Sequence, residues 1–249
     1  MKRYLLPVVA ALVFSATAAA QTLVNENFNS YTNAGLIGQG GWVITGTSTV
    51  NPITVSSGTV PMANTGQDVR LQFTNVEPAS GNSLSLSAQI NLSAVGAGDY
   101  FLHLGDMANT STFYSRIYAR TATGGYQLGL MAISSGTITY GTEVLSLNNN
   151  YTITAVWNFV AGTLNDTITL TVNGLASPYH VHTWNSATAE PTLINSVNLR
   201  QGGGAAAPAL VIDNIIVTAI PEPSTYAALF GALALVGVIA HRRRQKRAA

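Results

Sequence analysis

The sequence predicts an all-β protein, an antiparallel β-sandwich or jelly roll, set between two short end segments of different character. Over residues 23–217, apolar and polar positions alternate with a period of two, and Gly, Asn, Ser and Pro interrupt the alternation at short intervals. No stretch in that span carries the three-to-four-residue apolar period of a packed helix. With the ends set aside, residues 21–220 remain, enough chain to bury one sandwich core without disulfides, and there is no cysteine.

Each element follows from the same pattern. Leu84, Leu86, Ala88, Ile90 and Leu92 alternate with Ser85, Ser87, Gln89 and Asn91, so one face meets a core and the other meets water. Tyr151, Ile153, Ala155 and Trp157 repeat the pattern, and Thr167–Val172 alternates strictly. Further strands are expected over residues 69–73, 100–104, 113–119, 126–133, 179–184, 193–199 and 210–217. Gly124-Gly125, Gly136 and Asn173-Gly174 supply turns between them. Trp42 and Trp157 stand among apolar neighbours and are expected in the core.

The first 20 residues read as a secretory signal peptide. Lys2-Arg3 forms a positive start, residues 4–16 are apolar, and Ala18-Ala19-Ala20 suits cleavage between Ala20 and Gln21. The apolar run is short for a membrane anchor, and polar sequence follows at once. At the other end, Pro221 and Pro223 break any strand and set a boundary near Ile220. An apolar run over residues 226–240 then predicts a helix of about 23 Å, marginal for a hydrocarbon core of about 30 Å. Arg242, Arg243, Arg244, Lys246 and Arg247 follow, a cluster that stays cytoplasmic and stops translocation.

The order Pro221-Glu222-Pro223, short apolar helix, basic tail resembles the PEP-CTERM sorting signal of Gram-negative bacteria. The resemblance covers residues 221–249. It implies recognition by an exosortase at the inner membrane, removal of the tail, and release to the cell surface or an extracellular polysaccharide matrix. It carries no information about the domain over residues 21–220.

Charge narrows the functions open to that domain. Seven of the eleven Lys and Arg lie in the end segments. Between Gln21 and Thr225 only Arg70, Arg116, Arg120 and Arg200 remain, with no lysine, against ten acids, a net charge of −6. Such a domain has no basic stripe for phosphates, which excludes nucleic acid as an expected partner. The lack of cysteine excludes thiolate zinc sites and cysteine nucleophiles.

A second resemblance lies in the domain itself. Glu26-Asn27-Phe28-Asn29-Ser30-Tyr31 leads to Gly38-Gln39-Gly40-Gly41-Trp42. Tyr151-Thr152-Ile153-Thr154, Gly162-Thr163, residues 169–174 and Ile212-Asp213-Asn214-Ile215 follow in order. Together they resemble the concanavalin A-like, laminin-G-type jelly roll of secreted bacterial proteins. The resemblance implies two curved antiparallel sheets and a concave face that in relatives meets sugars. It also implies a structural calcium ion where the first and last strands run side by side. Glu26 and Asp213, on those strands, are the expected ligands, carboxylates being what this hard cation prefers. No other cofactor is expected.

Sugar binding calls for an aromatic platform flanked by hydrogen-bonding side chains. Trp184 with His182 and Asn185, together with Tyr126, are the candidates; Tyr114, Tyr118 and Tyr140 are further ones, and any single ring here suits packing as well. His180-Val181-His182 puts two imidazoles on one strand face, a spacing able to bind metal, but no third ligand is near in sequence, and a polar outer face is expected. Asp68, Glu77, Asp99, Asp106, Glu143, Asp166 and Glu190 stand singly. The paired acids of a laminarinase-like Glu-x-Asp-x-x-Glu strand and a Gly-x-Ser-x-Gly elbow are both absent. The sequence therefore predicts an exported, non-enzymatic carbohydrate-binding or structural protein. The alternatives are a jelly-roll hydrolase or lyase whose acids converge only on folding, and an adhesin for a protein partner.

Overall fold

A computed structural model describes residues 20–221, apart from 80, 134, 135 and 187, together with residue 237. The expected signal segment before Ala20, Glu222-Pro223 of the expected sorting motif, and all of the expected hydrophobic helix but Gly237 lie outside the described residues. Residues 20–220 form one compact unit.

Among the described residues the unit contains fourteen strands. They are β1 (Gln21–Glu26), β2 (Val43–Thr45), β3 (Val60–Met62), β4 (Asp68–Val76), β5 (Ser83–Ala94), β6 (Asp99–Asp106) and β7 (Asn109–Ala122). The second half supplies β8 (Gly125–Ile133), β9 (Thr139–Tyr140), β10 (Asn150–Asn158), β11 (Thr167–Val172), β12 (His180–Thr183), β13 (Ile194–Leu199) and β14 (Ala209–Ile220). The first sheet runs β1-β14-β5-β10-β11-β12, with β3 also on β14, and the second runs β2-β4-β13-β6-β7-β8-β9. The pairings are antiparallel, so the protein is an antiparallel β-sandwich.

Alternation decides which side of each first-sheet strand is core. Leu84, Leu86, Ala88, Ile90 and Leu92 of β5 are buried, while the Ser, Gln and Asn residues between them are half-buried. On that outer face the hydroxyls bond sideways: Thr154 Oγ1 donates to Ser87 Oγ at 3.1 Å, and Ser87 Oγ donates to the Ile153 carbonyl at 3.0 Å. Trp42 and Trp157 are fully buried, as expected, in an inter-sheet core shared with Phe28, Phe101 and Leu86. Each such side chain contributes about 1.5–3 kcal/mol on burial. The last strand, β14, joins the halves: β3 and then β1 pair along one edge, β5 along the other, and a bulge at Asp213–Ile216 carries Asn214 at φ 50°.

The second sheet departs from the expected half-buried pattern. All six residues of β13 are buried, as are six consecutive residues of β6. Both faces of this sheet are covered, one by the inter-sheet core and the other by its own large side chains. Three strands of two or three residues, β2, β3 and β9, carry too little alternation to be read from sequence.

Candidate functional site

Register aligns the side chains on the second sheet's other face. Arg70 lies opposite Asn198, and Asn198 opposite His103. Tyr100 lies opposite Tyr118, Tyr118 opposite Gly129, and Gly129 opposite Tyr140. Arg116 faces Met131, and Arg120 faces Gln127. Directly paired residues project to the same side, so these form one continuous surface from β4 to β9. Tyr100, Tyr118 and Met131 make an apolar cluster separate from the core, with Phe113, Ile138 and Tyr140 packed against it. A Cβ on Gly129 would lie 2.5 Å from Tyr140 Cδ1, so glycine is what lets that ring lie across the strand.

Guanidinium groups and rings interleave here. Arg116 holds its Cζ 4.4 Å from the Tyr100 centroid and 4.8 Å from that of Phe113. Arg200 stacks on Tyr100 at 4.1 Å, and Arg120 on Tyr140 at 3.9 Å. Arg120 also donates from Nε and Nη2 to Gln127 Oε1, at 3.1 and 2.9 Å. Arg70 Nη1 donates to the Met107 carbonyl at 3.1 Å. Arg116 is only 7% exposed, and its Nη1 reaches the Tyr118 hydroxyl at 3.5 Å. The Nε atoms of Arg70 and Arg116 are buried with no hydrogen-bond partner.

The acids of this face gather on one arginine. Arg200 Nη1 is 2.7 Å from Asp99 Oδ1, and its Nε is 4.0 Å from Asp68 Oδ2. Asp99 Oδ1 also accepts the Tyr100 N–H at 2.8 Å, and Asp68 Oδ1 accepts that of Gln201 at 2.9 Å. Burial pushes Asp68 up to about 6, against the opposing pull of Arg200. His103 is fully buried; desolvation, joined by the charges of Arg116 and Arg200, holds its pKa down at about 3. It is therefore neutral at pH 7. Its Nδ1 contacts the Leu104 carbonyl at 2.9 Å, and since a carbonyl only accepts, Nδ1 carries the proton and Nε2 the lone pair. Burial also raises Tyr100 and Tyr118, which remain phenols.

The residues expected to bind sugar fall elsewhere, apart from Tyr118 and Tyr140. Trp184 is 5% exposed, stacks on Trp157 at 6.2 Å, and donates its indole N–H to the Ser186 carbonyl. Tyr126 and His182 are buried in the sandwich, so none of these three rings offers a platform. Asn185 is exposed but bonds both the N–H and the carbonyl of Thr137. The histidine face of β12 turns inward rather than outward: His182 and His180 pair with Ile168 and Leu170, whose side chains are core, and Val181 is the exposed residue. Thr139 Oγ1 lies 2.7 Å from both His180 Nε2 and His182 Nδ1. Of the other tyrosines, Tyr118 and Tyr140 stand on the aromatic face, and Tyr114 packs in the core. The signal that could have found this face is the arginine tally, since all four arginines of the domain lie on it.

Glu26 and Asp213 do come close, at the β1–β14 seam. The Glu26 carboxylate accepts the Phe28 N–H at 2.9 Å, the Tyr31 hydroxyl, and the Trp42 indole N–H at 3.4 Å. Three of its roughly four lone-pair directions are thereby taken by the protein. Asp213 accepts the backbone and side-chain N–H groups of Asn214, at 2.7 and 3.1 Å. Burial, then the nearby Glu26 charge, raises its pKa. One direction of the Glu26 carboxylate, on Oε1, therefore remains open toward a cation. Among the described residues no group of three or more His, Asp or Glu converges as a metal site.

No protein-family model matches the chain, and no curated protein matches it in sequence. Solved structures share its fold. An endo-1,3-β-glucanase from Streptomyces sioyaensis aligns with a TM-score of 0.51 at 14% identity, over 82% of this chain and 98% of its own. The CBM2 module of the evolved Dit of Lactobacillus casei BL23 phage J-1 gives 0.52 at 9%, over 81% and 96%. An alginate lyase in complex with an alginate tetrasaccharide gives 0.50 at 14%, over 78% and 95%. At these identities the likeness is one of fold, that of an antiparallel jelly-roll sandwich.

Proposed function

We propose that the protein is an exported, non-enzymatic carbohydrate-binding component of the cell surface or extracellular polysaccharide matrix, holding its ligand on the β4–β9 face. The observation that carries this reading is the pairing of the half-buried rings Phe113 and Tyr140 with Arg116 and Arg120 on one sheet face, laid over the buried Tyr100 and Tyr118. Aromatic faces take the C–H surfaces of sugar rings, and guanidinium donors take their oxygens. Jelly-roll neighbours that bear the names glucanase, alginate lyase and CBM2 module support a carbohydrate ligand. Export follows from the signal over residues 1–20, and sorting by an exosortase from Pro221-Glu222-Pro223 and its tail.

A second reading, a polysaccharide-cleaving enzyme, draws on one observation: Asp68 and Asp99, distant in sequence, share Arg200. Binding is preferred because that arginine and the backbone N–H groups of Tyr100 and Gln201 occupy both carboxylates. A polysaccharide array followed by a reducing-sugar assay on the bound polymers tests the two together. Retention without new reducing ends is expected. Released ends would make the protein an enzyme, and silence on every polymer would move the reading to a protein-binding adhesin.

A further inference from the structure

The domain over residues 21–220 is acidic, with nine carboxylates and four arginines. All four arginines nevertheless stand on the one face from β4 to β8. Arg200 is matched by Asp99 and Asp68. Arg70, Arg116 and Arg120 have no carboxylate within 4 Å among the described residues. Burying a cation without an anion is costly. Arg116, 7% exposed, meets that condition, and Arg70 and Arg120 are half-buried on the same face. Neutral sugars give no reason for that expense.

We infer that the ligand of this face is an acidic polysaccharide, whose sugar carboxylates complete the coordination of Arg70, Arg116 and Arg120. This rests on the carbohydrate reading above and names its ligand class. Arg70 on β4 and Arg116 on β7 are three inter-strand steps apart, about 14 Å, so a chain crossing the sheet presents more than one carboxylate to them. Guanidinium forks match carboxylates with paired N–H···O bonds, while the half-buried Phe113 and Tyr140 flank the path. The negative charge of the rest of the domain repels a polyanion, which confines the polymer to this face.

Affinity electrophoresis of the purified protein in gels holding polygalacturonate, neutral laminarin or dextran sulfate tests the assignment. Polygalacturonate is expected to retard the protein most, with retention falling as salt is raised. Arg120→Gln, at the half-exposed rim, is expected to weaken retention about tenfold with an unchanged melting temperature. Arg116→Met is expected to abolish it; if that variant does not fold, Arg120→Gln decides alone. Laminarin bound as tightly as polygalacturonate, or Arg120→Gln without effect, overturns the acidic ligand while leaving carbohydrate binding intact. Tighter retention by dextran sulfate overturns the carboxylate in favour of sulfate, and no retention by any of the three ends both readings.

Discussion

Asp68 shows how burial sets the chemistry of a single group on the β4–β9 face. In the unfolded chain it ionises at 3.8, and in the fold at about 6, because desolvation outweighs Arg200. Between those values the folded protein keeps a proton that the unfolded chain releases. Its stabilising contribution is therefore complete below 3.8 and is lost as pH rises through 6. Asp68→Asn keeps an acceptor for the Gln201 N–H and removes this loss. The variant is expected to gain about 1–3 kcal/mol at pH 7 and nothing at pH 3.5. Chemical denaturation at the two pH values measures both; an equal change at each would show that the carboxylate acts through packing rather than charge.

At the scale of elements, the short strand β9 is held from the opposite sheet. The Ala132 N–H donates to His182 Nε2 at 3.2 Å, so His182 carries its proton on Nδ1 and donates to Thr139 Oγ1. The Thr139 hydroxyl then donates to His180 Nε2. This chain ties β12, at the edge of one sheet, to β9, at the edge of the other, and so supports Tyr140 on the aromatic face. Protonating His182 breaks the bond from Ala132, and burial holds its pKa down at about 4. A depressed histidine stabilises fully above 6.5, and that contribution is lost as pH falls through 4. Within that window the loss from this group is about 1.4 kcal/mol per pH unit. His182→Gln is expected to be less stable than wild type at pH 7 yet to lose less between pH 6.5 and 4. Parallel pH–stability profiles for the two proteins would refute the proton chain.

At the scale of the whole molecule, β14 closes the sandwich, since it pairs with β1, β3 and β5 at once. Its last paired residue is Ile220, immediately before Pro221. Removal of the residues after that point therefore leaves every described strand in place. A chain ending at Ile220 is expected to melt within about 3 °C of the longer protein, whereas one ending at residue 208 is expected not to fold. Thermal unfolding followed by circular dichroism distinguishes these outcomes, and a stable chain lacking β14 would contradict its closing role.

What was legible in sequence and what was not divides along the range of the interactions involved. The strands of the first sheet could be read residue by residue: in β5, β10 and β11 one face is core and the other is hydroxyl-rich, and that contrast prints directly as alternation. Trp42 and Trp157 could be placed in the core from their neighbours for the same local reason. The readings of the end segments rest on linear patterns alone and lie almost wholly outside the described residues. The candidate site is of another kind. Arg70, Arg116, Arg120 and Arg200 come from β4, β7 and the end of β13, and only strand register sets them side by side. Trp184 and His182 resemble a sugar platform in a linear reading, but the sheet to which β12 attaches turns them inward. Asp68 and Asp99 are solitary along the chain and partners in space. Alternation establishes that a strand has two faces; which face stays open, and which distant charges meet there, depends on pairing and burial across the whole sandwich, and those are properties of the tertiary structure.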